Sequence, residues 1–270
     1  MAASTSEDPL ARLAERPIGV SCLIVAPHPD DETIGAGVAL GRMRDVRVLH
    51  LTDGAPAERR FWTADCSTRE EYAALRRAEA LRALAHAGVP AEQVVACGCA
   101  DQALARELPA VVRTLVAMVR EHATRVIITT PYEGAHPDHD AAALACRMVV
   151  DLVPGPALVE MTSYHLHAGA IRSGRFLEDD AACIEVTPDD EELARKRRML
   201  DAYVSQRGML AYFAPGPERF RIAPRYDFAR PPHDGTLFYE TIRMPMSADE
   251  WRALAAAAIA RIRGSGACAS

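Results

Sequence analysis

The chain has 270 residues, enough for one large α/β domain with a sizeable core or for two small ones. Its 49% hydrophobic and 25% charged content is that of an ordinary soluble protein, and its formal net charge of -6 argues against nucleic acid or an anionic membrane as partner. The seven scattered cysteines suit a reducing compartment better than a disulfide framework.

Residues 1–18 are expected to form a flexible N-terminal segment. Glu7, Asp8 and Glu15 stand where a signal peptide needs an apolar stretch, so the expected location is the cytoplasm. No apolar run reaches the ~20 residues of a membrane span.

From there, strand and helix patterns alternate. An apolar strand over 20–26 leads into a helix over 33–43, then a strand over 46–51 and a long helix over 68–87 that stops at Gly88-Val89-Pro90. A short strand at 94–97, a helix over 104–122, a strand over 125–130 and a helix over 138–150 follow. This order implies a Rossmann-like, doubly wound, mostly parallel sheet with helices on both faces. Beyond Pro154-Gly155-Pro156 the pattern predicts strands at 157–165 and 182–186. A helix capped by Thr187 comes next, then a long loop over 214–233, a strand at 237–242 and a final helix over 248–262. No repeat or linker interrupts the chain, so residues 19–270 read as a single α/β domain.

Two polar runs carry the chemistry: His28-Pro29-Asp30-Asp31-Glu32 after the first strand, and His136-Pro137-Asp138-His139 after the strand at 125–130. Parallel sheets gather ligands beyond the carboxyl ends of their strands, so both runs fall at one sheet edge. Pro29 restricts His28 to an extended conformation that aims its ring. Either run alone also suits an acid-decorated helix N-terminus. Together, His28, Asp31, His136 and His139 compete for three places in an open metal site of the kind that holds catalytic Zn²⁺, with Fe²⁺ as an alternative. The spare Asp and His suit a base for the attacking water and a partner for the tetrahedral intermediate.

At these residues the chain resembles the zinc-dependent N-acetylglucosaminyl deacetylases, the LmbE-like or PIG-L family. Weaker matches are Thr52-Asp53-Gly54, Arg76-x-x-Glu79, and Lys196 through Tyr203-x-Ser205-Gln206, so the likeness runs over 20–206. It implies that His28, Asp31 and His139 bind zinc, that Asp30 is the general base, and that His136 stabilises the oxyanion and protonates the leaving amine. It further implies a zinc-dependent amidohydrolase removing the N-acetyl group from a GlcNAc-type amino sugar or its conjugate. An amidase acting on a thiol-sugar conjugate or a non-sugar amide is the alternative. The expected partner is thus a small molecule; self-association into a homo-oligomer stays open. Asp138 is the nearest residue to orient His136 or His139, while Asp53 suits either a supporting contact or a turn cap.

One departure stands out. Some family members carry a Tyr two residues before the first His of the second run, where this chain has Gly134; Tyr132 is the nearest phenol. Entry of Tyr132, His165 or His233 into the site stays open. Gly35-Ala36-Gly37 falls inside the helix after the first turn and reads as close helix packing, not as a dinucleotide fingerprint. Arg59, Arg60 and Arg76 read as solvated surface residues, with substrate hydroxyls or phosphates as the alternative.

Overall fold

The computed structural model describes residues 8–63, 65–178 and 182–266. The apolar runs form a central parallel sheet: β1 (Cys22–Ala26), β2 (Val46–Thr52), β3 (Val94–Cys99), β4 (Val126–Thr129) and β5 (Ala157–Met161). Between them run α2 (Asp31–Leu40), α3 (Arg69–His86), α4 (Leu104–Glu121) and α5 (Pro137–Leu152), preceded by α1 (Pro9–Leu13). The rest of the chain adds β6 (Tyr164–His167), β7 (Ala170–Ser173), β8 (Ile184–Val186), α6 (Asp190–Asp201), α7 (Arg207–Leu210), β9 (Glu218–Ile222), α8 (Phe238–Thr241) and α9 (Ala248–Gly266).

The seven-stranded sheet has the order β3-β2-β1-β4-β5-β9-β8. The strands from β3 to β5 pair in parallel, and β9 and β8 close the edge in antiparallel fashion. Alternation along β1 separates the two faces. Cys22 and Ile24 join the core under α2, α3 and α6, whereas Leu23 and Val25 join the core under α4, α5 and α9. This is the doubly wound α/β fold expected from the sequence. Chain order reverses between β1 and β4, whose registers meet at Cys22↔Val126, so the crevice beyond these two strands is the fold's natural ligand site.

Several local expectations change. Residues 1–7 of the expected flexible segment lie outside the described residues, but 9–18 are anchored, because Leu10, Leu13 and Ile18 are buried in the core. The expected loop over 214–233 contains β9. Its alternation is hidden because Glu218 and Arg221 are buried as ion-paired charges, 2.7 Å from Lys196 and 2.9 Å from Glu160. The strand expected at 237–242 is instead the short helix α8. The strand expected at 157–165 divides into β5 and β6, and β6 pairs with β7 in a separate two-stranded sheet. Asp189, not Thr187, caps α6, because it shares a reciprocal capping box with Glu192.

Candidate metal and catalytic site

The turn from β1 into α2 carries the first polar run, and the turn from β4 into α5 the second. His28 and Asp31 meet across the first turn: the Asp31 carboxylate accepts from the His28 backbone N–H at 2.9 Å and lies 3.1 Å from Nδ1. The second turn brings His139 Nε2 to 3.2 Å from the other Asp31 oxygen. Ligand atoms of His28, Asp31 and His139 therefore lie within 4.8 Å of one another, and all three residues are buried. Two imidazole nitrogens and a carboxylate oxygen are a donor set that suits a divalent cation with an open coordination position.

The charges agree with that fit. Burial alone would lower the His28 pKa, but Asp101, Asp138 and Asp31 outweigh it and hold His28 well above the ordinary imidazole range. The cluster is built around a positive charge, which a proton or a metal ion can supply.

Around this set the remaining groups take distinct positions. Asp30 is buried and accepts from Arg76 Nη2 at 3.1 Å; burial, and next the Asp31 charge, push its pKa above the usual carboxylate range despite Arg76. His136 caps α5, its Nδ1 accepting from the Asp138 N–H at 3.1 Å. Its neutral ring therefore carries its proton on Nε2, the nitrogen 3.6 Å from Asp101 Oδ1. Burial, with His28 alongside, keeps His136 well below the ordinary imidazole pKa.

Asp138 meets His136 chiefly through its backbone N–H, its carboxylate standing 3.9 Å from His136 Nδ1. Its carboxylate accepts from Gln102 N at 2.6 Å and Leu104 N at 3.1 Å, and lies 3.3 Å from His28 Nε2. It thus fixes the loop after β3 and steadies the outer nitrogen of His28. The corresponding contact to His139 comes from Ser163, whose Oγ is 3.3 Å from Nδ1. Asp53 caps its own turn through Ala55 N, pairs with Arg69, and accepts from the Asp101 backbone at 3.4 Å.

The site opens into a cleft of about 280 Å³. Arg76, Asp101, Gln102 and Gln206 supply polar lining, while Phe61, Met209, Phe213 and Met244 supply apolar lining. Arg76 is a correction to the surface reading: it is 2% exposed, and its Nε and Nη1 have no hydrogen-bond partner among the described residues. Arg59 and Arg60 are indeed exposed.

Tyr132 and the two open histidines stay out of the cleft. The Tyr132 hydroxyl donates to the Arg230 carbonyl at 2.8 Å, inside an aromatic cluster with Trp251 and Phe228. His165 pairs with Glu133 at 3.1 Å, and His233 Nδ1 contacts the Asp234 carbonyl. A Cβ on Gly35 would meet Met161 at 2.7 Å, so the α2 glycines do serve close packing.

Sequence reasoning missed Asp101, Ser163 and Tyr164. All three follow the carboxyl ends of parallel strands, β3 and β5, and the same edge rule that located the two histidine runs would have reached them.

The residues of the site gather a candidate metal set, a buried carboxylate and a neutral imidazole in one crevice of the fold. Residues 23–150 match the family model described as PIG-L: GlcNAc-PI de-N-acetylase. No curated protein sequence matches the chain significantly. Among solved structures, it is similar to the A40926 pseudoaglycone deacetylase Dbv21, with 21% identity, a TM-score of 0.60, and coverage of 79% of this chain and 99% of that one. It is also similar to the N,N'-diacetylchitobiose deacetylase of Pyrococcus horikoshii, with 18% identity, a TM-score of 0.52, and coverage of 76% and 84%. A third similar structure is GalB, the 4-carboxy-2-hydroxymuconate hydratase of Pseudomonas putida KT2440, with 14% identity, a TM-score of 0.56, and coverage of 77% and 98%. At such identities the likeness is one of fold, and the hydratase shows that this fold hosts more than one reaction. No described helix is long and apolar enough to cross a membrane.

Proposed function

We propose that the protein is a zinc-dependent N-deacetylase that hydrolyses the N-acetyl amide of a GlcNAc-type amino sugar or its conjugate. The observation that carries this reading is the convergence of His28, Asp31 and His139 within 4.8 Å, flanked by Asp30 and His136. His28, Asp31 and His139 would hold the ion. Zinc, when bound there, supplies Lewis acidity toward the amide carbonyl and makes water more acidic. Fe²⁺ suits the same donors.

The chain's own residues do the rest. Asp30, its basicity raised by burial, takes the proton of the attacking water. His136 offers Nε2–H to the charge that builds on the carbonyl oxygen and, being neutral, keeps that proton, while the departing amine takes the proton that Asp30 collected from the water. Arg76, buried with two idle donors, offers them to substrate oxygens, as sugar hydroxyls would supply.

The apolar part of the cleft, Phe61, Met209, Phe213 and Met244, favours a substrate that also presents an apolar group. That points to a conjugate, or to the second reading, an amidase for a thiol-sugar conjugate or non-sugar amide. The free cysteines among the described residues support a reducing, cytoplasmic setting.

A panel of N-acetyl amino sugars, their aryl and thiol conjugates and simple amides, assayed for amine release with and without chelator, tests the reading. The expected result is chelator-sensitive release from an N-acetylated amino sugar or conjugate. Release only from non-sugar amides would favour the second reading, and no release from any amide would defeat both.

A further inference from the structure

We propose that Ile34, Tyr164, Met209 and Phe213 form an acyl pocket, and that the enzyme removes straight aliphatic N-acyl groups of the butyryl and hexanoyl class in preference to acetyl. This rests on the deacetylase reading above and extends its acyl range.

The two sides of the cleft differ in kind. One presents Asp30, Arg76, Asp101 and Gln102. Arg76 Nε and Nη1 and Asp101 Oδ1 are buried without a hydrogen-bond partner among the described residues, so this side holds idle donors and an idle acceptor. Hydroxyls can meet both kinds, whereas an alkyl chain would leave them unpaired. The sugar of the substrate belongs here.

The other side is continuous with the core under α2. Ile34, Tyr164, Met209 and Phe213 line the cleft and belong to one apolar cluster, from which Phe61 and Met244 stand apart. Tyr164 stands edge-on to His139 with ring centroids 5.4 Å apart, and Phe213 edge-on to Tyr164 at 5.7 Å, so this wall adjoins the metal set and runs outward from it. Every residue of α2 is buried except Ile34, one turn beyond Asp31, which is left partly open at the cleft. On α7, Met209 is half-buried, and a Cβ on the neighbouring Gly208 would meet nothing within 4 Å, so the wall has unfilled space beside it.

An amide has two substituents, and the cleft offers two unlike walls. With the sugar on the polar side, the acyl chain is left facing the apolar one. An acetyl methyl covers little of a wall built from four large side chains, and the flexible Met209 can fit itself to a longer chain. Each further methylene that is buried should strengthen binding about fourfold. The reaction is the same at any chain length: a water oxygen bonds to the acyl carbon, the C–N bond breaks, and the water's protons pass to the nitrogen. The chain leaves as a carboxylate and the sugar as an amine.

Glucosamine carrying an N-acetyl, N-butyryl or N-hexanoyl group, assayed for amine release by the zinc-loaded protein, tests the pocket. The hydroxamates of the same three acids, which chelate a metal with the chain attached, are titrated calorimetrically in parallel. Wild type is compared with Gly208→Leu and Met209→Ala, with Tm and zinc content as controls. From acetyl to butyryl, kcat/KM should rise by about 10-fold, with a further rise to hexanoyl, and hydroxamate affinity should climb alongside. Filling the space at Gly208, or stripping Met209, should remove most of that gain. Preference for acetyl, or a gain that both variants keep, would overturn the acyl pocket. The hydroxamate arm needs no turnover, so affinity that climbs with chain length supports the pocket even where glucosamine is not the amine. No amine release and no hydroxamate binding at any length would defeat the deacetylase reading itself, and the pocket with it.

Discussion

Arg76 Nη2 donates to Asp30 Oδ2 at 3.1 Å, and this pair is the only countercharge contact that Asp30 makes among the described residues. Asp30 sits beside Asp31 and Glu32 in a buried pocket, where uncompensated carboxylates would repel one another. Burial disfavours charge on Arg76 as well, but Asp30 outweighs it and holds the guanidinium above its ordinary pKa. Arg76→Ala leaves a buried carboxylate without a partner, which costs about 3–5 kcal/mol. The expected outcome is a clear drop in Tm together with loss of activity, measured by thermal unfolding and kcat. A variant within about 0.5 kcal/mol of wild type would show that water replaces the guanidinium at little cost.

Asp30→Asn keeps the shape of the side chain and removes the basic oxygen. If Asp30 takes the proton of the attacking water, kcat falls by about 10²–10⁴-fold, and zinc content stays at the wild-type level because the convergent set is untouched. Elemental analysis alongside steady-state kinetics reads both quantities. Retained kcat would transfer the base role elsewhere.

The metal itself can be titrated against Ser163. His139→Ala removes one of three donors and should abolish stoichiometric zinc. Ser163→Ala removes only the hydroxyl that steadies His139 Nδ1 at 3.3 Å, and should weaken zinc binding by about 10- to 100-fold. Competition with a chelator of known affinity measures both. Equal affinity in the Ser163 variant would mean that packing against Tyr164 already fixes the imidazole.

The two histidine runs were legible because each sets His beside Pro and Asp in the turn that leads from a β-branched apolar strand into a helix. That combination has few structural uses. The parallel sheet was legible for a related reason, since β1, β2 and β4 are apolar on both faces. Asp101, Ser163 and Tyr164 carry no such mark. Each is a single residue beyond a strand end, and its role depends on crossovers that only the folded sheet brings together. The strand β9 was hidden because its charged positions point inward to partners contributed by α6 and β5, which inverts the usual pattern of polar residues outside. The cap of α6 shows a finer failure: Thr187 and Asp189 both suit the position, and the three-residue spacing from Asp189 to Glu192 was the deciding signal.

Glu192 also supplies a pH test remote from the cleft. Its carboxylate accepts from Arg42 Nε at 2.7 Å and Nη2 at 2.8 Å, and from Arg16 Nη2 at 2.9 Å, tying α6 to the end of α2 and to the segment before β1. The Arg42 contact, more than any other, lowers its pKa beneath the ordinary value of 4.5. A carboxylate depressed in the folded state stabilises fully above its unfolded pKa and loses that contribution as pH falls through the folded one. Glu192→Gln should therefore cost about 1.5–3 kcal/mol at pH 7, where the charged hydrogen bonds are intact. The gap between variant and wild type should narrow as pH falls below that ordinary value. Urea unfolding of both proteins at pH 7 and at successively lower pH measures it. A gap that stays constant with pH would mean that shape, not charge, holds this junction.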